Sequence, residues 1–382
     1  MKARNRRARL GVLAGTTALV ISSTLTAAPT AADDSAWEEV ASGLDNPRLL
    51  SFRGNRLFVA EAGTGGSGPC LTSPEGEVCY GPSGAITRIR NGHQRRVVTH
   101  LPSLAGPDGG GAIGPADVQA LGWGKLAISI GLGNEPAVRD LLPRRGRRLM
   151  GTVAAGRVHR KHLRVLADLA HFEEKRDPDG EGADSNPTGM VVRGRHIVAT
   201  DSGGNTLVKA AAAPGQSSSR GGGRHRIRAL AVFDSPGTVP NPFPGPPPSF
   251  DMQSVPTSVI PGRGGWFVSE LTGFPFAPGF ARIHHVPRGG GAPTVYADGL
   301  TNVTDLAWYR GDLYAVQIAD GGLLTPGLPM GSLVRVLPGG GSEPVAGPFP
   351  APYGVAIRGG AAYVTTCSVC AGGGSVMRVP LP

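Results

Sequence analysis

Several signatures of known enzyme and membrane-protein classes are missing from this 382-residue chain. After residue 25 no stretch reaches the roughly 18 apolar residues that a membrane-spanning helix needs. The Gly-x-Ser-x-Gly elbow of serine hydrolases is absent, and the glycine runs lack the Lys-Ser/Thr pair and the helix of a phosphate-binding loop. The nine histidines show none of the spacings of zinc proteases or zinc fingers, so we predict structural or exposed roles for them.

The first 32 residues have the pattern of an export signal. Five basic residues among the first nine precede an apolar or small stretch from Leu10 to Leu25. Thr30-Ala31-Ala32 then places small residues at a cleavage site, so Asp33 is the expected first mature residue. A retained N-terminal anchor is the alternative, but the apolar stretch is short for a span. We therefore predict a secreted, extracellular protein with no membrane span after cleavage.

The charge of residues 33–382 is modest and uneven. The whole chain has 38 Lys and Arg and 28 Asp and Glu, which gives a net charge of +10. Five of the basic residues and none of the acids precede residue 33, so the net charge of residues 33–382 is +5. The excess is concentrated in arginine-rich runs at 139–148, 157–164 and 220–228. Aromatic residues for base stacking are missing from all three runs, so we expect solvated loops and predict no nucleic-acid partner.

Four cysteines in an exported chain should be oxidised. Three pairings are possible, and we favour Cys70 with Cys79 and Cys367 with Cys370 because each pair is local in the sequence. A redox dithiol at Cys367 and Cys370 is the alternative, but the βαβ setting of such a motif is absent. The unequal spacing of the two pairs also makes a poor zinc site.

One phrase recurs six times and gives the strongest indication of the fold. Its anchors are Pro47, Pro115, Pro187, Pro256, Val303 and Pro352. An apolar residue follows each anchor after three positions, and a strand-like run begins after ten positions in five copies, with a slip of one in the copy at Pro115. Third and fourth runs follow in several copies. Four short strands per unit, repeated radially, are typical of a β-propeller. We predict an all-β, six-bladed propeller that forms a single domain over residues 33–382.

The last unit lacks an outer strand, because the chain ends just after its third run. The segment Trp37–Ala41 precedes the first anchor, and we predict that this N-terminal strand closes the last blade. Closure removes sheet edges that would otherwise pair with other chains. A β-solenoid is the alternative architecture, but solenoid repeats are usually far shorter.

Nine short motifs spread over nearly all of residues 33–382 carry a family resemblance. The most specific is Glu270–Phe276, with the sequence Glu-Leu-Thr-Gly-Phe-Pro-Phe. The others are 43–47, 101–104, 109–115, 130–133, 177–180, 184–187, 255–257 and 299–305. On these motifs the chain resembles the ScyD/ScyE family of secreted bacterial propeller proteins. The resemblance implies the propeller fold and export, and it implies no assigned reaction.

Carboxylates recur where the second strand of a unit ends. In a propeller the inner strand starts on the face where the second strand ends, so the anchor and the residue 14 positions later should meet on one rim. That later position holds Glu61, Asp201 and Glu270. We predict these three as candidate ligands of a shared divalent metal, with calcium as the candidate cofactor, on the face opposite the hairpins between first and second strands. The alternative is that each acid accepts backbone N–H bonds from its own loop.

Amide side chains accompany these acids at the same rim. Asn46, Asn186 and Asn302 each precede an anchor, and Gln317 takes the position of the acid in one copy. We predict that these four line a ligand-binding rim. Elsewhere, the segment Asp177–Asp184 has the oxygen density of a calcium loop, but its spacing is not that of an EF-hand. We therefore interpret it as a turn stabilised by Asp and Gly.

Two function classes remain, and we predict no catalytic residue. One is a binding or scaffold propeller that presents loops to a small molecule, a glycan or a protein. The other is a propeller enzyme, similar in outline to quinoprotein sugar dehydrogenases or lactone hydrolases, with a divalent metal in the channel. A shared fold does not choose between them. Because no catalytic constellation is complete, we favour the binding protein.

Overall fold

The computed structural model describes residues 37–73, 76–160, 162–211 and 226–382. The predicted export signal therefore lies outside the described residues. Helical segments within the described part are the 3₁₀ turn Pro136–Leu141, α1 (Arg144–Leu149) and α2 (Leu169–Arg176). No helix among these residues is long and apolar enough to cross a membrane.

Strands make up the rest of the regular structure and form six blades in chain order, each with four antiparallel strands. The outer strand of the last blade is β1 (Glu38–Leu44). Blade 1 contains β2 (Pro47–Arg53), β3 (Arg56–Glu61), β5 (Gly76–Arg90) and β6 (His93–Ala105), and β4 (Cys70–Ser73) also pairs with β5. Blade 2 contains β7 (Pro115–Gly122), β8 (Lys125–Ile130), β9 (Thr152–Arg157) and β10 (Arg164–Asp168). Blade 3 contains β11 (Pro187–Arg193), β12 (His196–Asp201), β13 (Thr206–Ala211) and β14 (Ile227–Val232).

A short hairpin of β15 (Thr238–Pro240) and β16 (Ser249–Asp251) separates blades 3 and 4. Blade 4 contains β17 (Pro256–Pro261), β18 (Gly265–Glu270), β19 (Ala281–Pro287) and β20 (Thr294–Leu300). Blade 5 contains β21 (Val303–Tyr309), β22 (Asp312–Gln317), β23 (Met330–Val336) and β24 (Ser342–Pro350). Blade 6 contains β25 (Val355–Arg358), β26 (Ala361–Thr366), β27 (Gly374–Pro380) and β1. The predicted six-bladed propeller is confirmed.

Ring closure follows the prediction as well. β1 pairs antiparallel with β27, from Glu38 opposite Arg378 to Leu44 opposite Gly374. The strand extends three residues beyond the predicted segment Trp37–Ala41. Leu44 is 1% exposed and belongs to an apolar cluster that also contains residues of blade 1. The first and last blades are therefore joined both by strand pairing and by a shared core.

The core lies between neighbouring blades, because each blade buries both faces of its small sheet. A central residue of the second strand is completely buried in all six blades. These residues are Val59, Ile128, Ala199, Val268, Ala315 and Val364. Removing such apolar surface from water is the main term that stabilises a stacked repeat.

In blades 1 to 5 the repeated anchor begins the inner strand, and in four of these blades its partner is the residue 14 positions later. The paired residues are Pro47 with Glu61, Pro187 with Asp201, Pro256 with Glu270, and Val303 with Gln317. In blade 2 the anchor Pro115 pairs with Ile130, which reproduces the slip of one residue seen in the sequence. In blade 6 the inner strand begins at Val355, three residues after the anchor Pro352.

Antiparallel order places two sets of connections on one face, which we call the insertion face. These are the connections from second to third strand and from the outer strand to the next blade, whereas the other hairpins lie at the opposite end. Both helices and β15–β16 belong to connections on this face. Both predicted disulfides are confirmed here: Cys70–Cys79 links β4 to β5, and Cys367–Cys370 closes the turn after β26.

Candidate functional site

Glu61 ends β3 and is completely buried. Its two carboxylate oxygens each accept a 3.1 Å hydrogen bond from Arg96 Nε. Thr87 Oγ1 donates to Oε1 at 2.5 Å, and the backbone N–H of Asp45 donates to Oε2 at 2.9 Å. The charge of Glu61 is therefore compensated inside blade 1.

Glu270 has a similar environment in blade 4 and is also completely buried. Arg282 donates from Nε at 2.8 Å and from Nη2 at 2.6 Å, and Ser254 Oγ donates at 2.6 Å. Burial opposes ionisation of Glu270, but the nearby Arg282 and His284 groups outweigh it and lower the pKa of the carboxyl. Two of the three predicted metal ligands thus form ion pairs with arginine.

Asp201, the third predicted ligand, ends β12 and is 1% exposed. Ser185 Oγ donates to it at 2.7 Å, and the backbone N–H of Asn186 donates at 2.5 Å. Burial raises the pKa of Asp201 to about 7, and these hydrogen bonds oppose the rise. No arginine is among the partners of Asp201 that the described residues provide.

The predicted rim amides tie connections of the insertion face together. Asn46 Nδ2 donates to the carbonyls of Gly63 and Gly109 at 2.7 and 2.9 Å. Asn302 Nδ2 donates to the Leu271 carbonyl at 2.7 Å. Gln317 Oε1 accepts the backbone N–H of Thr301 at 2.8 Å. The backbone N–H of Asn186 donates to Asp201. All four predicted rim residues therefore have structural contacts. Their role in ligand binding stays a prediction.

Among the described residues, two groups place three candidate ligand atoms within 4.8 Å of one another: Cys70–Glu77–Cys79 and Glu173–Asp177–Asp179. The first contains the thiols of a disulfide, which are not available to a metal. None of the three predicted acids belongs to either group. Their joint role in metal binding stays a prediction, and we define the second group as the Glu173 cluster.

An acidic cavity of about 590 Å³ lies among the connections of the insertion face. It is lined by Asn134, Glu135, Pro136, Ala137, Glu174, Asp179, Glu181, Gly182, Ala183, Asp184, Gly203 and Gln253. Five of these residues are acidic, and none of the lining residues in the described chain is Lys, Arg or His. One of the acids, Glu174, contacts Lys175 outside the lining, with 2.9 Å between the Nζ and Oε1 atoms.

The helix α2 positions the buried member of the Glu173 cluster. Asp168 caps its start by accepting the backbone N–H of His171 at 3.0 Å. The following residues are mostly good helix formers, and the helix ends where Asp177 adopts the left-handed conformation with φ 41°. Glu173 is one turn before that end and is completely buried. A helix thus carries a carboxylate into the interior beside the acidic loop.

The carboxylate of Glu173 has an unusual environment for a buried acid. Neither of its oxygens has a hydrogen-bond partner among the described residues. A Cβ at position 204 would lie 2.5 Å from Glu173 Oε2, so Gly204 leaves the space that this carboxylate occupies. Burial and then the negative charges of neighbouring carboxylates raise the pKa of Glu173 to about 8. Those neighbours, in order of effect, are Asp201, Asp179, Asp177 and Asp184.

The sequence pattern indicates a turn at Asp177–Asp184 and does not single out Glu173. Turn contacts are present in this segment, since the backbone N–H of Gly180 donates to the Asp177 carbonyl at 3.2 Å. The signal that could have revealed the site is the helix: a capping Asp168 precedes eight residues with only weak amphipathic order. An acid on a short helix directly before an Asp-Pro-Asp-Gly loop indicates that two carboxylate-bearing segments meet.

Comparisons with known proteins add no family. No protein-family model matches the chain, and no curated protein matches it. The chain is similar to the solved structure of a candidate oxidoreductase (glucose dehydrogenase) from Thermus thermophilus, with 16% identity, a TM-score of 0.49, and coverage of 90% of this chain and 98% of that one. It is also similar to virginiamycin B lyase from Staphylococcus aureus, with 11% identity, a TM-score of 0.45, and coverage of 91% and 99%. Neither likeness carries an argument about chemistry.

Proposed function

We propose that the protein is a secreted binding propeller that holds an organic cation in the acidic cavity of the insertion face. The observation that carries this proposal is the charge of the cavity. Five carboxylates line it without a basic residue, although the chain as a whole has an excess of Lys and Arg. Such a local reversal of sign in a concave site concentrates positively charged ligands.

The walls of the cavity are held together by hydrogen bonds between different connections. Gly133 N–H donates to the Ser185 carbonyl at 3.0 Å, which joins the connection between β8 and β9 to the connection from blade 2 to blade 3. Gln253 Nε2 donates to Glu181 Oε2 at 3.1 Å, which joins the connection before blade 4 to the connection before blade 3. A site that is ordered before binding loses less conformational entropy when the ligand arrives.

Two exposed aromatic rings follow a residue that is hydrogen-bonded to the cavity wall, and they favour an organic cation over a simple ion. Gly273 N–H donates to the Gln253 carbonyl at 2.8 Å, and Phe274 follows directly. Phe274 stacks against Phe243 with 6.2 Å between ring centroids, and these side chains are 37% and 56% exposed. Exposed rings of this kind contact the apolar part of an amine or its charged group.

Export and membership of the ScyD/ScyE family are part of the same proposal. Two disulfides support an oxidising compartment, because disulfides are rare in the reducing cytosol. The motif Glu270–Phe276, on which the resemblance depends most, supplies both the buried Glu270 and the exposed Phe274.

The test is calorimetric titration of residues 33–382 with spermidine in a buffer that contains a chelator, with gluconate as the anionic probe. We expect spermidine to bind and gluconate not to bind. The variant that combines Glu135→Gln and Glu181→Gln should weaken spermidine binding at least tenfold, about 1.4 kcal/mol. Glu343→Gln removes an acid of blade 5 that is 52% exposed and should change nothing. Equal binding of both probes, or none of spermidine, would refute the proposal.

A further inference from the structure

We infer that the Glu173 cluster is a calcium site at the C-terminal end of α2. Glu173, Asp177 and Asp179 each contribute a carboxylate oxygen, and these oxygens lie within 4.8 Å of one another. Calcium binds oxygens at about 2.3–2.6 Å, so two ligands on opposite sides of one ion are about 5 Å apart at most. The spacing therefore suits one ion between the three carboxylates. The cluster shares Asp179 with the wall of the acidic cavity, but the inference does not rest on the proposed organic cation.

Within the described part of the chain, Glu173 lacks the compensation that other buried acids of this protein have. Glu61 and Glu270 are just as completely buried, and each is paired with an arginine and a hydroxyl. Glu173 is equally buried, yet the described residues give neither of its oxygens a hydrogen bond. A buried carboxylate without a partner costs several kcal/mol of desolvation. A bound cation would supply the missing compensation.

The two loop acids are already oriented by other contacts. Asp177 Oδ1 accepts the backbone N–H of Gly182 at 3.2 Å, and Asp179 Oδ2 accepts Asn205 Nδ2 at 3.0 Å. Asp179 Oδ1 also accepts the backbone N–H of Glu181 at 3.2 Å. Asp177 is thus oriented through one oxygen and Asp179 through both. Supporting contacts of this kind orient ligands in established metal sites.

The Glu173 cluster lies at the C-terminal end of α2. The carbonyl groups at a helix C-terminus carry partial negative charge, which favours a cation there and disfavours carboxylates. The basic residues of the last turn are Lys175 and Arg176, and Lys175 pairs with Glu174 outside the cluster. The three acids of the cluster repel one another, and a cation between them would relieve this repulsion. Gly204 preserves the space for Glu173, because a Cβ there would collide with its carboxylate.

Calcium fits this set of ligands better than other metals. All three side chains would bind through carboxylate oxygens, and such ligands suit hard cations better than soft metals. Two of the ligands, Asp177 and Asp179, lie in a glycine-containing loop. Asp179 also lines the cavity, from which water molecules can supply the remaining ligands of the six to eight that calcium takes. Magnesium requires a stricter octahedral geometry and loses its water less readily.

The experiment uses residues 33–382 stripped with a chelator and titrated with CaCl₂, and in parallel with MgCl₂, at pH 7.5. Calorimetry should show one calcium per chain. The melting temperature should rise by about 3–8 °C when calcium is in hundredfold excess over its dissociation constant. Magnesium should bind more weakly.

Glu173→Gln should lose the calcium response while keeping, or raising, the melting temperature of the metal-free protein, because a neutral amide is less costly to bury than a carboxyl group that can ionise. Asp179→Asn should weaken calcium binding at least tenfold. This variant tests the site if Glu173→Gln fails to fold. Asp140→Asn changes a nearby acid that is 84% exposed and should bind calcium as the wild type does.

Two results would overturn the inference. One is that the wild-type protein binds no calcium at a calcium concentration of about 10 mM, which is above the dissociation constants of weak extracellular sites. The other is unchanged binding in both cluster variants. A stability that responds to pH but not to calcium would show that Glu173 is a buried neutral acid, which also overturns it. Because the spermidine titration is run with a chelator, failure here leaves the organic-cation site to be judged separately.

Discussion

Asp305 in β21 accepts a hydrogen bond of 2.8 Å from the backbone N–H of Val355, the first residue of the next inner strand. The same carboxylate accepts a bond of 2.6 Å from Ser258 Oγ in the preceding blade. One side chain therefore connects blades 4, 5 and 6. Asp117 has a related role, since it accepts the backbone N–H of Met190 in blade 3 at 2.8 Å. Carboxylates thus link inner strands that no β-ladder joins.

Loss of this link should destabilise the ring. We expect Asp305→Ala to lower the free energy of unfolding by about 2–4 kcal/mol, because buried donors on Ser258 and Val355 lose their acceptor. Asp312→Ala, in the same blade, removes an acid that is 51% exposed and should cost less than about 0.5 kcal/mol. Urea unfolding of both variants measures the difference. Equal losses would show that the inter-blade bonds contribute little.

The arginine that compensates Glu270 should be similarly important. Arg282→Met leaves a completely buried carboxylate without its main partner, and we expect a loss of about 3–5 kcal/mol. Arg335→Met is the matched control, because Arg335 pairs with the exposed Glu343 and such pairs contribute about 0–1 kcal/mol. A larger loss in the control variant would contradict this account of Glu270.

The fold could be predicted because its signal is repeated. Each anchor has an apolar residue three positions later and a strand after ten, and radial stacking requires the same burial pattern in every blade. Even the slip in the copy at Pro115 appears as the pairing of Pro115 with Ile130. The disulfides followed from proximity in sequence, since Cys70 and Cys79 are opposite one another on two strands of a hairpin.

The candidate site could not be predicted in the same way. It depends on connections, which differ from blade to blade and carry no periodicity. The carboxylates of Glu61 and Glu270 follow the repeat, and the structure pairs them with Arg96 and Arg282. Glu173 has no counterpart in the repeat, and its burial depends on how α2 packs. Sequence periodicity therefore finds residues that hold blades together more readily than residues that bind ligands.

Closure of the ring by β1 gives a further prediction. A chain that begins at Pro47 lacks β1 and exposes the edge of β27, whereas a chain that begins at Trp37 retains the strand. We expect the shorter chain to melt at least about 5 °C lower and to aggregate, because it loses the buried Leu44 and gains an open edge. Scanning calorimetry and light scattering compare the two chains. Matching melting temperatures would mean that the outer strand does not stabilise blade 6.

The pH dependence of stability follows from four buried acids. Burial raises the pKa of Asp117, Asp201 and Asp305 to about 7 from an ordinary value of 3.8. Burial and neighbouring carboxylates raise the pKa of Glu173 to about 8 from 4.5. Between the ordinary pKa of each acid and its raised pKa, the folded protein keeps a proton that the unfolded chain has released. Folding then takes up protons, so the free energy of unfolding must fall as pH rises through this window.

We therefore expect the chelated protein to be less stable at pH 8 than at pH 5.5. Glu270 does not change this expectation, because nearby Arg282 and His284 lower the pKa of its carboxyl despite burial, so it is ionised in both states above about pH 5.5. Melting temperatures at intervals of half a pH unit in a chelating buffer test the slope. Glu173→Gln should flatten the upper part, between about pH 7 and 8.5, because the pKa of Glu173 is raised to about 8. A melting temperature that rises from pH 5.5 to pH 8 would show that hydrogen bonds to these carboxylates outweigh their burial.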